Sequence, residues 1–269
     1  MNIVLSDPTK VMQFVSIMKN LKNFSQDVEF VVSENGVYTQ GMDSSHCCLF
    51  EMILKNDWFD KFSTDKSYVL GLNCELLAKV LNCLEQSQKI IMKYTEDSDY
   101  LFISLSPNDG ETSIAKVFQL RLMDIESNIL EIPDTEYSAD IAMSSDDFAK
   151  LVNQLSIFGK DIMFELGDTI KVTGKGDEGK MSAMIKEDDI IMYAAEEDMD
   201  LSLEYAGRFI VMMTAFSKLN KKIQIHFSSE MPMKIQYGLD NFMDNNEEDE
   251  ELEDTNYVRF FLAPKVNDD

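Results

Sequence analysis

The chain is poor in the residues that chemistry most often uses. It has two histidines, His46 and His226, among 269 residues, and no H-E-x-x-H, P-loop, G-x-S-x-G or C-x-x-C pattern. Acidic pairs such as Asp188-Asp189 and Glu196-Glu197 are the remaining candidates for metal or acid/base work, and adjacent carboxylates on a turn are usually only solvated. No catalytic residue, cofactor or metal is therefore expected. The four cysteines, Cys47, Cys48, Cys74 and Cys83, lie in apolar or mixed segments, which suits small buried thiols without disulfides in a reducing compartment. No apolar run approaches the ~18 residues of a membrane span, and MNIVLSDPTK lacks the basic and apolar regions of a secretory leader. A soluble intracellular protein with no membrane role is expected.

Bases are scarce too. There are 24 against 49 acids, a formal charge of -25, which on average argues against phosphate binding. Their distribution says otherwise. Helical periodicity and capping residues predict four helices, at about 9–22, 73–84, 144–157 and 206–218. Their inward faces are Val11, Phe14, Val15, Met18 and Leu21; Leu76, Leu77, Val80, Leu81 and Leu84; Phe148, Leu151, Val152 and Leu155; and Phe209, Ile210, Met213 and Phe216. These windows carry Lys10, Lys19, Lys22, Lys79, Lys150, Arg208 and Lys218 against Glu75, Asp146 and Asp147, so the helices hold +4 and the rest of the chain -29. With apolar residues facing inward, the bases fall on the outward faces, where four helices side by side would make a weakly positive lining on an acidic body. The alternative is that helix surfaces simply accept Lys and Arg, although they accept Glu equally well.

Short runs rich in Val, Ile, Tyr and Phe, punctuated by turn residues, read as strands. In the first half these are 28–32, 36–40, 47–54, 68–72, 89–94, 101–105 and 114–122. The second half has 138–143, 162–166, 169–173, 181–185, 190–194, 223–228, 233–237 and 258–263. The first and third predicted helices begin at Thr9 and Ser144, 135 residues apart, and the second and fourth at Asn73 and Ala206, 133 apart. Matched offsets indicate a duplication: two copies of one α+β unit, 1–118 and 138–269, joined by a connector at 119–137. The connector, QLRLMDIESNILEIPDTEY, has no clean helical or two-residue period, and Pro133 biases Ile132 toward an extended conformation. An extended segment that shows apolar groups among its acids is a candidate docking site.

Three blocks carry a specific resemblance. Leu122-Met123-Asp124 with Ile132-Pro133 and Glu136-Tyr137, Gly41-Met42-Asp43-Ser44-Ser45-His46, and Phe261-Leu262-Ala263-Pro264-Lys265-Val266 resemble the DNA sliding clamp family of proliferating cell nuclear antigen. The resemblance covers nearly the whole chain and implies a ring of three identical subunits, with helices inside around duplex DNA and sheets outside. It implies nuclear (or viral replication-compartment) work without catalysis, giving polymerases processivity after loading by an ATP-driven clamp loader. Lys19, Lys79, Lys150 and Arg208 match expected inner-surface bases, while Met12, Gln13, Asn82 and Asn153 replace others. Clients such as polymerase, flap endonuclease and ligase would insert a short peptide into a pocket under the connector. The matching positions are Met42, His46, Cys47, Leu49, Leu130, Ile132, Pro133, Pro232, Phe261, Ala263, Pro264 and Lys265. Subunit contacts would use one edge near Ser113, Ala115 and Val117, and a neighbour's edge at Met181, Ala183 and Ile185.

The chain also departs from the family. Residues 240–256 form a longer and far more acidic insertion, and Gly167-Asp168-Thr169 stands where many eukaryotic clamps have a ubiquitin-accepting Lys-Asp-Gly. Two other readings remain open, an acidic chaperone of basic proteins and a monomeric polymerase processivity factor.

Overall fold

The computed structural model describes residues 1–125, 129–133, 136–240 and 255–265. The expected connector and insertion lie partly, at 126–128, 134–135 and 241–254, outside the described residues. The first half runs β1 (Asn2–Leu5), α1 (Pro8–Leu21), β2 (Asp27–Ser33), β3 (Gly36–Met42), β4 (Cys48–Lys55), β5 (Lys61–Ser63), β6 (Tyr68–Asn73), α2 (Cys74–Leu81), β7 (Gln88–Lys93), β8 (Tyr100–Pro107) and β9 (Lys116–Arg121). The second runs β10 (Ala139–Ser144), α3 (Ser145–Leu155), β11 (Asp161–Leu166), β12 (Ile170–Gly176), β13 (Gly179–Ile185), β14 (Ile190–Ala195), β15 (Leu201–Ala206), α4 (Gly207–Thr214), β16 (Lys222–Phe227), β17 (Met233–Gly238) and β18 (Tyr257–Leu262).

Each half places a helix after its first and its sixth strand, and the neighbour orders repeat as well. The order β5-β1-β7-β8-β9 corresponds strand for strand to β14-β10-β16-β17-β18, and β4-β3-β2-β6 to β13-β12-β11-β15. Equivalent pairs are antiparallel in both halves: Ile3 of β1 opposes Met92 of β7, and Ile141 of β10 opposes Ile225 of β16. The duplication is thus one of topology as well as spacing.

Two compact units result, Met1–Met42 with Glu51–Ile129 and Leu239–Val258, and Asp43–Phe50 with Leu130–Gly238 and Arg259–Asp269. In the first, α1 packs on α2 and β7, and α2 on β2, β6 and β9. In the second, α3 packs on α4, β10 and β12, and α4 on β11 and β15. The helices form where the periodicity places them because each has an apolar stripe to bury. Phe14, Ile17, Met18 and Leu21 of α1 are all 1% exposed or less, and each such side chain contributes about 1.5–3 kcal/mol. The starts are set by caps. Asp7 accepts the Lys10 amide (2.9 Å), Asn73 that of Leu76 (2.9 Å) and Ser144 that of Asp147 (3.3 Å). Helix α4 has no side-chain cap; its Gly207 amide donates instead to the Lys160 carbonyl at 2.8 Å.

Several sequence expectations are corrected. Leu76 is 44% exposed, because it lies two residues from both Cys74 and Ala78 and so about half a turn from the buried face of α2. Leu151 is only half-buried, and Leu84 lies beyond the helix. Helix α4 ends at Thr214 instead of 218. There the Ala215 and Phe216 amides bond three residues back, to Met212 and Met213, and Lys218 sits in the separate 3-10 turn Ser217–Leu219. Three strands escaped the pattern, β1, β5 and β15; the first two have only four and three residues. Cys47 and Cys83 are exposed, since each lies in a loop beyond a regular element, whereas Cys48 and Cys74 are buried. No helix among the described residues is long and apolar enough to cross a membrane.

The connector starts from a fixed point. Its first residues complete β9, the Leu122 amide donates to Asp99 (2.8 Å), and Met123 donates to Gly71 (3.0 Å) in a single antiparallel bridge. Gly71 is needed for this approach, because a Cβ there would stand 2.2 Å from the Met123 carbonyl oxygen. Gly71→Ala is expected to cost about 1–3 kcal/mol and to free the start of the connector. Hydrogen exchange checks this: the Met123 amide should lose protection before the β6 amides do.

Candidate functional site

The predicted cationic side chains do not share one environment. Lys10 is half-buried, with its ammonium 5.9 Å from the Trp58 ring centroid, and Lys19 is half-buried. Lys22, Lys79, Lys150, Arg208 and Lys218 are exposed. Two of these are paired on their own helix, Lys79 with Glu75 (2.8 Å) and Lys150 with Asp147 (2.8 Å). The Glu75 carboxyl lies below its ordinary range, held there by the Lys79 hydrogen bond and charge, with Lys22 adding to the effect. Two of the three helix acids counted in the sequence are therefore bonded to bases, and the helix faces are less cationic than the charge count alone suggests. Gln13 is 8% exposed, so it is core and does not stand in for a lining base as the resemblance implied; Met12 is 63% exposed.

The second unit gathers most of the residues expected to receive a client. Between β3 and β4 the chain turns through Asp43, whose carboxylate accepts the amides of Ser45 (2.7 Å), Cys47 (2.8 Å) and Cys48 (2.7 Å), and the Ser45 hydroxyl. Burial opposes the charge on Asp43. The hydrogen bonds from the Ser45 hydroxyl and the Cys48, Ser45 and Cys47 amides outweigh it and hold the carboxyl below its usual range. This tight turn carries His46 at φ 57°, exposed, with Cys47 exposed beside it and Leu49 buried. The Ala263 amide donates to the Cys47 carbonyl at 3.0 Å, so the C-terminal block and the His46 loop run side by side. Behind them Phe261 is 7% exposed under the Arg259 guanidinium, 5.4 Å from its ring.

The other expected client contacts are more scattered. Lys265 is tied down, its amide on the Glu204 carbonyl (2.8 Å) and its ammonium on Asp161 (2.6 Å). Leu130 and Pro133 of the connector are exposed; Ile132, Pro232 and Pro264 are half-buried. Met42 ends β3 in the first unit. At the connector's far end Tyr137 stands 5.4 Å from the His226 ring and 4.9 Å from the Lys234 ammonium, and His226 meets Asp140 at 2.5 Å. That anchor was not anticipated. Nor was the bond from Arg208 to the Ser45 hydroxyl (3.3 Å), which links a helix base through Ser45 to Asp43. The Asp-Ser-Ser run after a strand, a turn signal, was the trace of it in the sequence.

The expected subunit edges are both terminal strands. β9 ends one neighbour order and β13 another, with Val117 67% and Met184 51% exposed. Ser113 and Ala115 precede β9, which starts at Lys116, and Ser113 instead accepts a hydrogen bond from Gln88 (3.0 Å). Met181, Ala183 and Ile185 lie on β13 and are half-buried.

Comparison with known proteins gives a consistent result over both halves. The family description "Proliferating cell nuclear antigen, N-terminal domain" matches residues 10–129, and "Proliferating cell nuclear antigen, C-terminal domain" matches 131–246. The chain is 29% identical over 259 residues to the proliferating cell nuclear antigen of Chaetomium thermophilum, covering 94% of each chain. It is 28% identical over 237 residues to proliferating cell nuclear antigen 2 of Drosophila melanogaster, covering 88% of this chain and 87% of that one.

The Asp43 turn makes a pH prediction with a definite sign. Its carboxyl is depressed in the folded state, so its stabilisation is complete above the ordinary carboxylate range near ~4 and is lost as pH falls through the folded value. Asp43→Ala should cost about 2–3 kcal/mol near neutrality by leaving three amides without acceptors. The stability gap between the native chain and Asp43→Asn, measured by urea unfolding, should narrow as pH drops below ~4.

Proposed function

The chain belongs to the proliferating cell nuclear antigen family, and from that membership we propose that it acts as a DNA sliding clamp closed by three identical chains. The observation that carries this reading is the repeated topology with two unlike free edges, β9 and β13. An edge that pairs with a different edge on the next copy makes a heterologous contact, and such contacts close into a ring when the rotation between copies is right. Val117 and Met184 supply exposed apolar side chains for those junctions.

Inside the ring, the duplex would be held without base readout by Lys19, Lys22, Lys79, Lys150, Arg208 and Lys218. Lys10 would contribute less because its side chain lies over Trp58. Few and partly paired cations give weak, salt-sensitive phosphate contact, which topological retention makes sufficient and which sliding requires. Polymerases, flap endonuclease and ligase would be recruited at the His46 loop, with the C-terminal block beside it and Leu130, Ile132 and Pro133 contributed by the connector. Apolar anchors and main-chain hydrogen bonds can be offered there together. Loading would fall to an ATP-driven clamp loader, and the work would take place in the nucleus or in a viral replication compartment. In this reading the chain has no catalytic residue, cofactor or resident metal.

The expected outcome is a solution mass of three chains and retention on closed circular DNA that is lost when the circle is cut. Release after linearisation separates topological linkage from the binding of an acidic chaperone, which would capture basic proteins and ignore DNA topology. Removing Lys19 or Arg208 should weaken DNA contact equally on all sequences and lower the salt slope by about one per charge. Removing Lys79 or Lys150 should change it less, because each has a carboxylate partner.

A further inference from the structure

Another sheet edge lies in the second unit. β14 ends the order β14-β10-β16-β17-β18, and among the described residues no strand lies on its other side. The Glu196 amide donates to the Ser138 carbonyl, and Ala195 opposes Ala139 in the ladder. Antiparallel pairs alternate between bonded and non-bonded, so residues 192 and 194 direct their backbone groups to β10 while Tyr193 and Ala195 turn theirs outward. Near the start of the strand the register shifts. Met192 opposes Ala142 and Ile190 opposes Met143, which leaves Ile191 as an extra residue without a counterpart. The irregularity puts two adjacent apolar side chains into solvent, Ile191 at 63% and Met192 at 39% exposure.

An apolar, unpaired edge is a hazard that proteins usually cover or blunt. Here it is framed by charge instead. Exposed Asp188 and Asp189 precede it, and exposed Glu196, Glu197, Asp198 and Asp200 follow. The stretch 186–200 has seven acids, with Lys186 as its single base. This layout selects the occupant. A second copy of β14 paired antiparallel would set Asp188 and Asp189 against Glu196 and Glu197, and a parallel in-register pair would set each acid against itself; both are repulsive. A strand with apolar residues at alternate positions and Lys or Arg at both ends meets opposite charge on each side.

We infer that β14 is a docking edge for an extended, basic-flanked segment of a partner protein. The segment adds as a strand, hydrogen-bonds to the outward groups of Tyr193 and Ala195, and lays apolar side chains on Ile191 and Met192. Its flanking cations face Asp188 and Asp189 at one end and Glu196 and Glu197 at the other. This surface involves neither the His46 loop nor the β9 and β13 edges, so it stands or falls separately from ring closure and client recruitment.

The probe is a fluorescent nonapeptide, KKVTITVKK, titrated into the full chain at about 50 mM salt and followed by anisotropy and amide hydrogen exchange. Binding is expected, with exchange slowed at Tyr193 and Ala195, and with affinity at least about tenfold weaker for EEVTITVEE. Ala195→Pro removes an outward donor without touching the β10 ladder and should weaken binding by about tenfold. Should that variant unfold, the triple variant Asp188→Asn, Glu196→Gln, Glu197→Gln leaves the backbone alone and should abolish the preference for the lysine peptide. The inference is overturned by no binding at millimolar peptide, by equal affinity for both peptides, or by protection that falls on β9 or β13 instead.

Discussion

A β-sheet is satisfied everywhere except at its outer strands, where one side of the backbone keeps unpaired N–H and C=O groups. In this chain that constraint organises the rest. Duplication supplies the same strand orders twice, and each copy ends in strands that something else must use or that charge must protect. β9 carries the exposed Val117 and β13 the exposed Met184. β14 ends with exposed apolar residues between two acidic clusters, which excludes pairing with itself. The same backbone chemistry is thus open at different edges beside different side chains.

Electrostatics works in the same divided way. A net charge of -25 would keep the molecule away from phosphate were it spread evenly. The helix windows hold a local excess of bases over acids, yet Glu75 and Asp147 each engage one of those bases, so the helix faces are only mildly cationic. For a protein that must stay on DNA and still move, mild attraction is the useful regime, since affinity that came from many released counterions would oppose translation.

The Asp43 turn shows how a small polar feature positions a surface. One carboxylate gathers three amides and a hydroxyl, which frees His46 and Cys47 to stand outward next to Ala263. Arg208 reaches the same Ser45 hydroxyl from α4. A helix base and the His46 loop are therefore one side chain apart within the second unit. At the other end of the connector, Tyr137 is held by His226 and Lys234, so both ends of that segment have fixed attachment points, Gly71 and the Tyr137 cluster.

Helix positions, the α+β class and the duplication were legible in the sequence, because periodicity of 3.6 and 2 is a local property that caps and turn residues punctuate. The three motif blocks were legible for the same reason. Short strands were not: β1 and β5 are held by their neighbours in the sheet, and three or four residues carry too little pattern to announce that. Nor could the sequence tell that Leu76 faces solvent, that Gln13 is core or that Lys10 lies over Trp58. Burial and pairing of side chains distant in sequence depend on how elements pack. The pattern of residues determined which segments would be helix and strand. Only the tertiary structure decided which strand edges stay open and which charges stay unpaired, because both depend on neighbours that the chain brings together only when it folds.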